Sequence, residues 1–300
     1  MAALELPSKR LTVLKGHSAP VECVRFTADG NYVLSGSQDK TIRLWNPAKG
    51  LQVKSFTGSN HEVTDIAITR DNGSFYSCGG DKAAFLWNVT AGSVQKKFAG
   101  HHMKVNCLAL NEPENVLFTG SNDKTVRLWD LKAGGKPNCL HTLADATDSI
   151  TAIVVTKHEV LTGSVDGSVR RYDLRKAACV VDEVHEAVGN VALSNDGECI
   201  LVSTLDSKIR LFSKDSGDVL ATYCGHTNKK YRVSALLDPT DAYVISGSED
   251  GRIFAWDLVE AKVVRELQGH RGPVVGLAVQ PLGAFLVSAS ADCDLSVWGK

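Results

Sequence analysis

Three things are missing from this sequence, and each absence removes a class of protein. Eight cysteines occur, but no two lie within three residues of each other, so there is no CxxC clip for zinc or redox chemistry. No stretch of about 18 apolar residues is present, which leaves no candidate membrane-spanning helix. Neither charge dominates, with 33 basic against 34 acidic residues, so no global field draws the chain to nucleic acid or an anionic membrane. A P-loop, a nucleophile elbow, an HExxH helix and any cluster of metal ligands are missing too, so no catalytic, cofactor or metal site is expected. The opening residues, MAALELPSKR, carry no apolar h-region. The expectation is a reduced, soluble, intracellular protein, in which the sequons at Asn72 and Asn88 carry no glycan.

What is present is a repeat. An Asp followed six residues later by an aromatic recurs seven times: Asp39/Trp45, Asp81/Trp87, Asp123/Trp129, Asp166/Tyr172, Asp206/Phe212, Asp250/Trp256 and Asp292/Trp298. Successive aspartates are 42, 42, 43, 40, 44 and 42 residues apart, and all five tryptophans occupy this one position. Each period reads as four short strands. In the first these are Val21 to Phe26, Tyr32 to Ser37, Thr41 to Trp45 and Leu51 to Phe56, separated by turn residues such as ADGN at Ala28 to Asn31. Gly-His precedes the Asp at Gly16-His17, Gly100-His101, Gly225-His226 and Gly269-His270.

Four strands per period of about 40 to 45 residues is the blade of a β-propeller, and the chain resembles the WD-repeat family over nearly its whole length. The fold expected is all-β, a single seven-bladed propeller over residues 1–300 with a short tail at 1–8. The sequence ends two residues after Trp298, with no outer strand for the last blade. Arg10 to Leu14 is therefore expected to complete that blade and close the ring.

His17, Ser35, Asp39 and Trp45, repeated as His101, Thr119, Asp123 and Trp129, have the residue types of a Ser-His-Asp triad. A catalytic triad is needed once, whereas this set recurs; the resemblance implies a structural hydrogen-bonded tetrad, with Ser35 or Ser37 as its hydroxyl. Blade two has Ser59 where the His belongs, blade four has no Gly-His, and blade five offers only His185. Those three blades are expected to be less firmly pinned. The arginine two residues before the aromatic (Arg43, Arg127, Arg170, Arg210) reads as a stem packed between blades with its head in solvent.

In WD-repeat proteins the top rim lies beside the Gly-His loop and the residue before the tetrad Asp. Carried over position by position, the partner-binding rim comprises Glu22, Glu62, Lys104, Asn106, Asn122, Val165, Leu205, Lys230, Arg232, Glu249 and Val275. It combines an acidic sector (Glu22, Glu62), basic points (Lys104, Lys230, Arg232) and an apolar arc (Val165, Leu205, Val275), which suits a protein partner better than a phosphate backbone. The basic cluster His226 to Arg232 with Tyr231 reads as a solvated loop, with Tyr231 starting the inner strand. Gly163 to Arg175, Leu201 to Leu220 and Gly247 to Ala261 resemble WD-repeat organisers of mitogen-activated protein kinase cascades that are also found with the pre-mRNA splicing machinery. That resemblance implies a monomeric scaffold, cytoplasmic and nuclear, for kinase-cascade components and splicing factors. Val160 to Arg175 also resembles the box of cullin-RING ubiquitin-ligase substrate receptors, which would dock an adaptor through Tyr172, Asp173 and Arg175.

Overall fold

The computed structural model describes residues 6–300 except 133, 136, 177 and 282; residues 1–5 of the expected tail lie outside the described residues. Seven four-stranded antiparallel sheets are arranged as blades, and the chain is all-β. In blade one the strands run outward from the channel as Val21–Phe26, Val33–Ser37, Thr41–Asn46 and Leu51–Thr57. Blades two to six occupy residues 63–99, 105–143, 150–183, 188–223 and 235–268. The seventh is built from Val274–Val279, Leu286–Ser290 and Leu295–Gly299, with Lys9–Leu14 from the other end of the chain as its outer strand. Arg10 pairs with Trp298 and Leu14 with Leu295, so the expected closure is present, one residue longer than read. The Ser8 N–H donates to Gly299 O at 2.8 Å, and Leu6 packs against the core shared by blades six and seven. The last residues of the expected tail are therefore docked.

The burial pattern follows from each strand's place. Second strands are covered on both sides, and Val33–Ser37 is buried throughout. Outermost strands keep one face in solvent: along Leu51–Thr57 only Phe56 is buried. The core lies between blades. Cys23, Leu34, Ile42 and Phe56 of blade one meet Val63, Ile66, Phe75 and Trp87 of blade two, with Phe75 and Trp87 stacked at 5.8 Å. All five tryptophans are fully buried in such seams. At an order-of-magnitude cost of about 3–5 kcal/mol for truncating each one, they anchor the ring.

Inner strands carry a second regularity. The register to the second strand shifts between Val21 and Cys23, Val63 and Asp65, Val105 and Cys107, Ile150 and Ala152, Val188 and Asn190, and Val274 and Gly276. Each shift is a bulge, which unpairs one residue and re-aims it. The bulged residues are Glu22, Thr64, Asn106, Thr151, Gly189 and Val275, of which Glu22, Asn106 and Val275 belong to the expected rim. Blade six is the exception. Its inner strand is only Ala235–Leu237, because the loop before it is longer; Tyr231 lies in that loop and does not start the strand.

Candidate functional site: tetrads, rim and channel mouth

In blade one, His17 Nδ1 lies 2.7 Å from Asp39 Oδ2 and Nε2 lies 2.8 Å from Ser35 Oγ, which accepts Trp45 Nε1–H at 2.8 Å. Ser35 is thus the tetrad hydroxyl. Ser37 instead donates to Pro20 O and accepts from the Asp39 amide. Burial, the largest influence, holds the His17 imidazole below its ordinary pKa despite the Asp39 contact. Burial pushes the Asp39 carboxyl up, but donation from the Thr41 hydroxyl and His17 outweighs it and leaves the group below its ordinary value. A neutral imidazole beside a carboxylate fixes the polarity: Trp45 N–H to Ser35, Ser35 O–H to His17 Nε2, His17 Nδ1–H to Asp39. Every donor in the chain finds an acceptor, and the serine is fully buried, so no substrate reaches it.

The set repeats in blade three with His101, Thr119, Asp123 and Trp129, at 2.8–2.9 Å throughout. There, against the opposing effect of burial, the Thr125 hydroxyl, the His102 amide and His101 bring the Asp123 carboxyl down to about 2. A third complete set, His270, Ser288, Asp292 and Trp298, closes blade seven. It was legible in the Gly269-His270 signal.

Where the histidine is missing, the aspartate takes other partners. In blade two Trp87 still donates to Ser77 Oγ at 2.8 Å, while Asp81 accepts from the amides of Asn60 and His61. In blades four and five the recurring arginine does the work. Arg170 Nη1 lies 2.9 Å from Asp166 Oδ2, and Arg210 Nη2 lies 2.6 Å from Asp206 Oδ2. The expectation of a guanidinium head in solvent is therefore corrected for Arg170 and Arg210: an unfilled histidine slot leaves a buried carboxylate, and the nearest cation turns in to meet it. His185 stays exposed, with a left-handed φ of 64°, and joins no tetrad.

Blade six has all four residue types yet no tetrad. His226 is buried with neither ring nitrogen bonded, and burial pushes its pKa down to about 4. Trp256 donates to Cys224 O, and Asp250 pairs with Arg252. The lengthened loop is the cause, because it is stapled elsewhere. Asn228 is fully buried and donates to Ser203 Oγ and Thr204 O of blade five. The amides of Lys229, Lys230 and Tyr231 all donate to Glu249 Oε1.

The loop ends in Arg232, whose side chain crosses the channel. Its Nη1 donates to Asn106 O at 2.7 Å and Thr151 O at 2.8 Å, and its Nη2 to Thr64 O at 3.4 Å. These are bulge carbonyls of blades three, four and two, left without ladder partners and satisfied by one guanidinium from blade six. Arg232 is therefore a strut across the channel, which corrects its placing as a basic point on the rim. Val275 is corrected as well: it is 4% exposed, buried where the inner strands converge. Glu249 binds the loop's own backbone, and Lys230 is exposed beside it.

Six expected rim residues, Glu22, Lys104, Asn106, Asn122, Val165 and Arg232, come together around a cavity of about 250 Å³ at the channel mouth. Thr64, Ser149 and Thr151 complete the wall. The expected acidic and basic sectors are interleaved: Lys104 Nζ pairs with Glu62 at 3.1 Å, Gln38 donates to Glu22, and Asn106 donates to Asn122. Val165 keeps 38% exposure, and Leu205 is half-buried beside blade five. Beneath the mouth, Arg25 pairs with the buried Asp65 at 2.8 Å, two residues that carried no sequence signal.

Tyr172 of the expected adaptor box is 8% exposed and packs in the core between blades three and four, so it does not offer a docking face. Asp173, the half-buried last residue of the strand Ser168–Asp173, pairs at 3.2 Å with exposed Arg175 on the loop that follows.

A ring of seven four-stranded sheets, tied by repeated His–Ser/Thr–Asp–Trp chains, defines the class, and sequence comparison agrees with it. Residues 7–257 match the family model described as the IFT122 first beta-propeller, and residues 261–299 match the WD domain, G-beta repeat. The chain belongs to the WD-repeat β-propeller family. Among its relatives, WD repeat domain-containing protein 83 of Rattus norvegicus is 52% identical over 287 residues, covering 96% of this chain and 91% of the relative. The protein of the same name from Homo sapiens is 50% identical, over 95% of this chain and 90% of the relative. The Dictyostelium discoideum homolog is 31% identical over 96% of this chain and 97% of the relative.

Proposed function

We propose that this chain is a non-catalytic scaffold, acting in cytoplasm and nucleus, that gathers kinase-cascade components and splicing factors on its top rim. One observation carries the reading: five rim positions from blades one, three and four converge on one mouth, held by a closed ring and braced by the Arg232 strut. A frame that fixes loops at its rim is suited to presenting them to another protein. The interleaved charges favour a mixed protein surface over a polyanion. The buried Ser-His-Asp sets, each capped by an indole, support a structural role for those residues.

Affinity purification with mass spectrometry tests this, comparing wild type with Val165→Glu, a change at an exposed rim position. Kinases and splicing factors recovered with the wild type and depleted from the variant are the expected result. Identical lists from both would remove the rim from the account. Ubiquitin-ligase subunits lost on Arg175→Ala would replace the reading with the adaptor one.

A further inference from the structure

Among the described residues Arg232 forms no ion pair. Its side chain is half-buried in the channel, and its three acceptors are all main-chain carbonyls. Those bonds use three of its five N–H groups, leaving the Nε–H and the second Nη2–H without a protein acceptor. After burial itself, Asp65 is the charge that acts on it most, but that carboxylate is already committed: Oδ1 accepts from Arg25 Nη2 at 2.8 Å and Oδ2 from the Leu108 amide at 3.2 Å. Glu22, also on the wall, is held by Gln38. Arg170 and Arg210, by contrast, each sit on a carboxylate. A half-buried cation whose neighbouring carboxylates are bonded to other groups is costly, and carbonyl dipoles offset only part of that cost.

Above the guanidinium is the mouth cavity of about 250 Å³, room for one side chain and too small for a polyanion backbone. A second cation stands at its edge, Lys104, whose one ion pair among the described residues is with the half-buried Glu62. A planar fork with two unspent donors matches the two oxygens of a carboxylate.

We propose that the channel mouth is an anion site, in which a single carboxylate docks on the unspent N–H groups of Arg232 beside Lys104. The carboxylate is an acidic side chain of a docked protein or a free anion from solution. The first source rests on the rim reading above, and the second does not.

The test has two arms on the full chain. Crystals soaked in sodium bromide are examined by anomalous scattering, and calorimetry compares acetyl-Gly-Glu-Gly-amide with its Gln counterpart. A bromide peak on Arg232 and a Glu peptide that binds about tenfold more tightly than the Gln peptide are expected. That preference falls in Lys104→Ala, whose side chain lies at the outer edge of the mouth, and disappears in Arg232→Gln. Because Arg232→Gln also removes a strut, the Lys104 variant gives the decisive reading if the ring is disturbed. Bromide bound with no preference between peptides assigns the site to a free anion. Water alone on Arg232 with equal peptide affinities overturns the proposal. In that case partners still stripped by Val165→Glu leave the scaffold reading standing.

Discussion

Ser35 and Ser246 hold the same place in blades one and six, yet their hydroxyls serve different ends. Ser35 Oγ accepts Trp45 N–H and supplies the proton for His17, whereas Ser246 Oγ donates only to the carbonyls of Gly247 and Ser234. Ser35→Ala strands a buried indole N–H and an imidazole nitrogen, and is expected to lose about 1–3 kcal/mol in urea unfolding. Ser246→Ala breaks no such chain and is expected to lose less. The histidines set a pH dependence of definite sign. Burial holds His17, His101 and His226 below the ordinary value of 6.5, so the unfolded chain binds more protons in acid. The stability of the neutral rings is complete above about 6.5 and is lost as pH falls towards their folded values, about 4 for His226. Asp39 and Asp123 act lower down: their folded pKa values are depressed, so their contribution holds above 3.8 and is lost towards about 2 for Asp123. Unfolding free energy should therefore rise with pH from 4 to 6.5, and His226→Leu should flatten that slope; an unchanged slope would contradict the burial argument.

Blades differ in how they hold their turns, and the difference is physical compensation. In blades four and five an Asp–Arg pair replaces the histidine, with Arg170 and Asp166 both nearly enclosed. Arg170→Met leaves that aspartate buried without its cation, held by the Thr147 and Ser168 amides, and is expected to lose about 3 kcal/mol and to speed amide exchange in Glu159–Ser164 and Ser168–Asp173. Arg43→Met should change little, since Arg43 binds Gln52 at the surface of a blade whose Asp39 already has His17. The Asp-to-aromatic spacing was enough to read every blade, because a tetrad needs fixed residue types at fixed intervals. Spacing could not choose between Ser35 and Ser37, which alternate along one buried strand. It could not direct the heads of Arg170 and Arg210, which respond to an absence elsewhere in the blade. Nor could it find the strut: Arg232 follows a lengthened loop, so counting from Gly225-His226 carries no information about where its side chain goes.

At the scale of the molecule, the rim positions are legible because the bulge recurs in six inner strands, but what faces the channel depends on which side chain stands at each bulge. Glu22 and Asn106 reach the mouth, whereas Val275 is drawn into the core. The ring itself depends on the join between Lys9–Leu14 and Leu295–Gly299. Removing residues 1–14 bares the buried edge of Leu295–Gly299, and such an edge pairs with other chains. Size-exclusion chromatography with light scattering should then show concentration-dependent association and calorimetry a lower melting temperature, while the intact chain keeps its single closed form.

That join sets a timetable for making the molecule. Lys9–Leu14 leaves the ribosome early, and its partner Leu295–Gly299 follows only after some 280 further residues. At about 5–20 residues per second the wait is on the order of 15–60 s. Throughout it a strand with no mate and a half-built arc of blades are exposed to the cell, so the hazards of this architecture are concentrated in its birth, until the emergence of Leu295–Gly299 lets the ring seal.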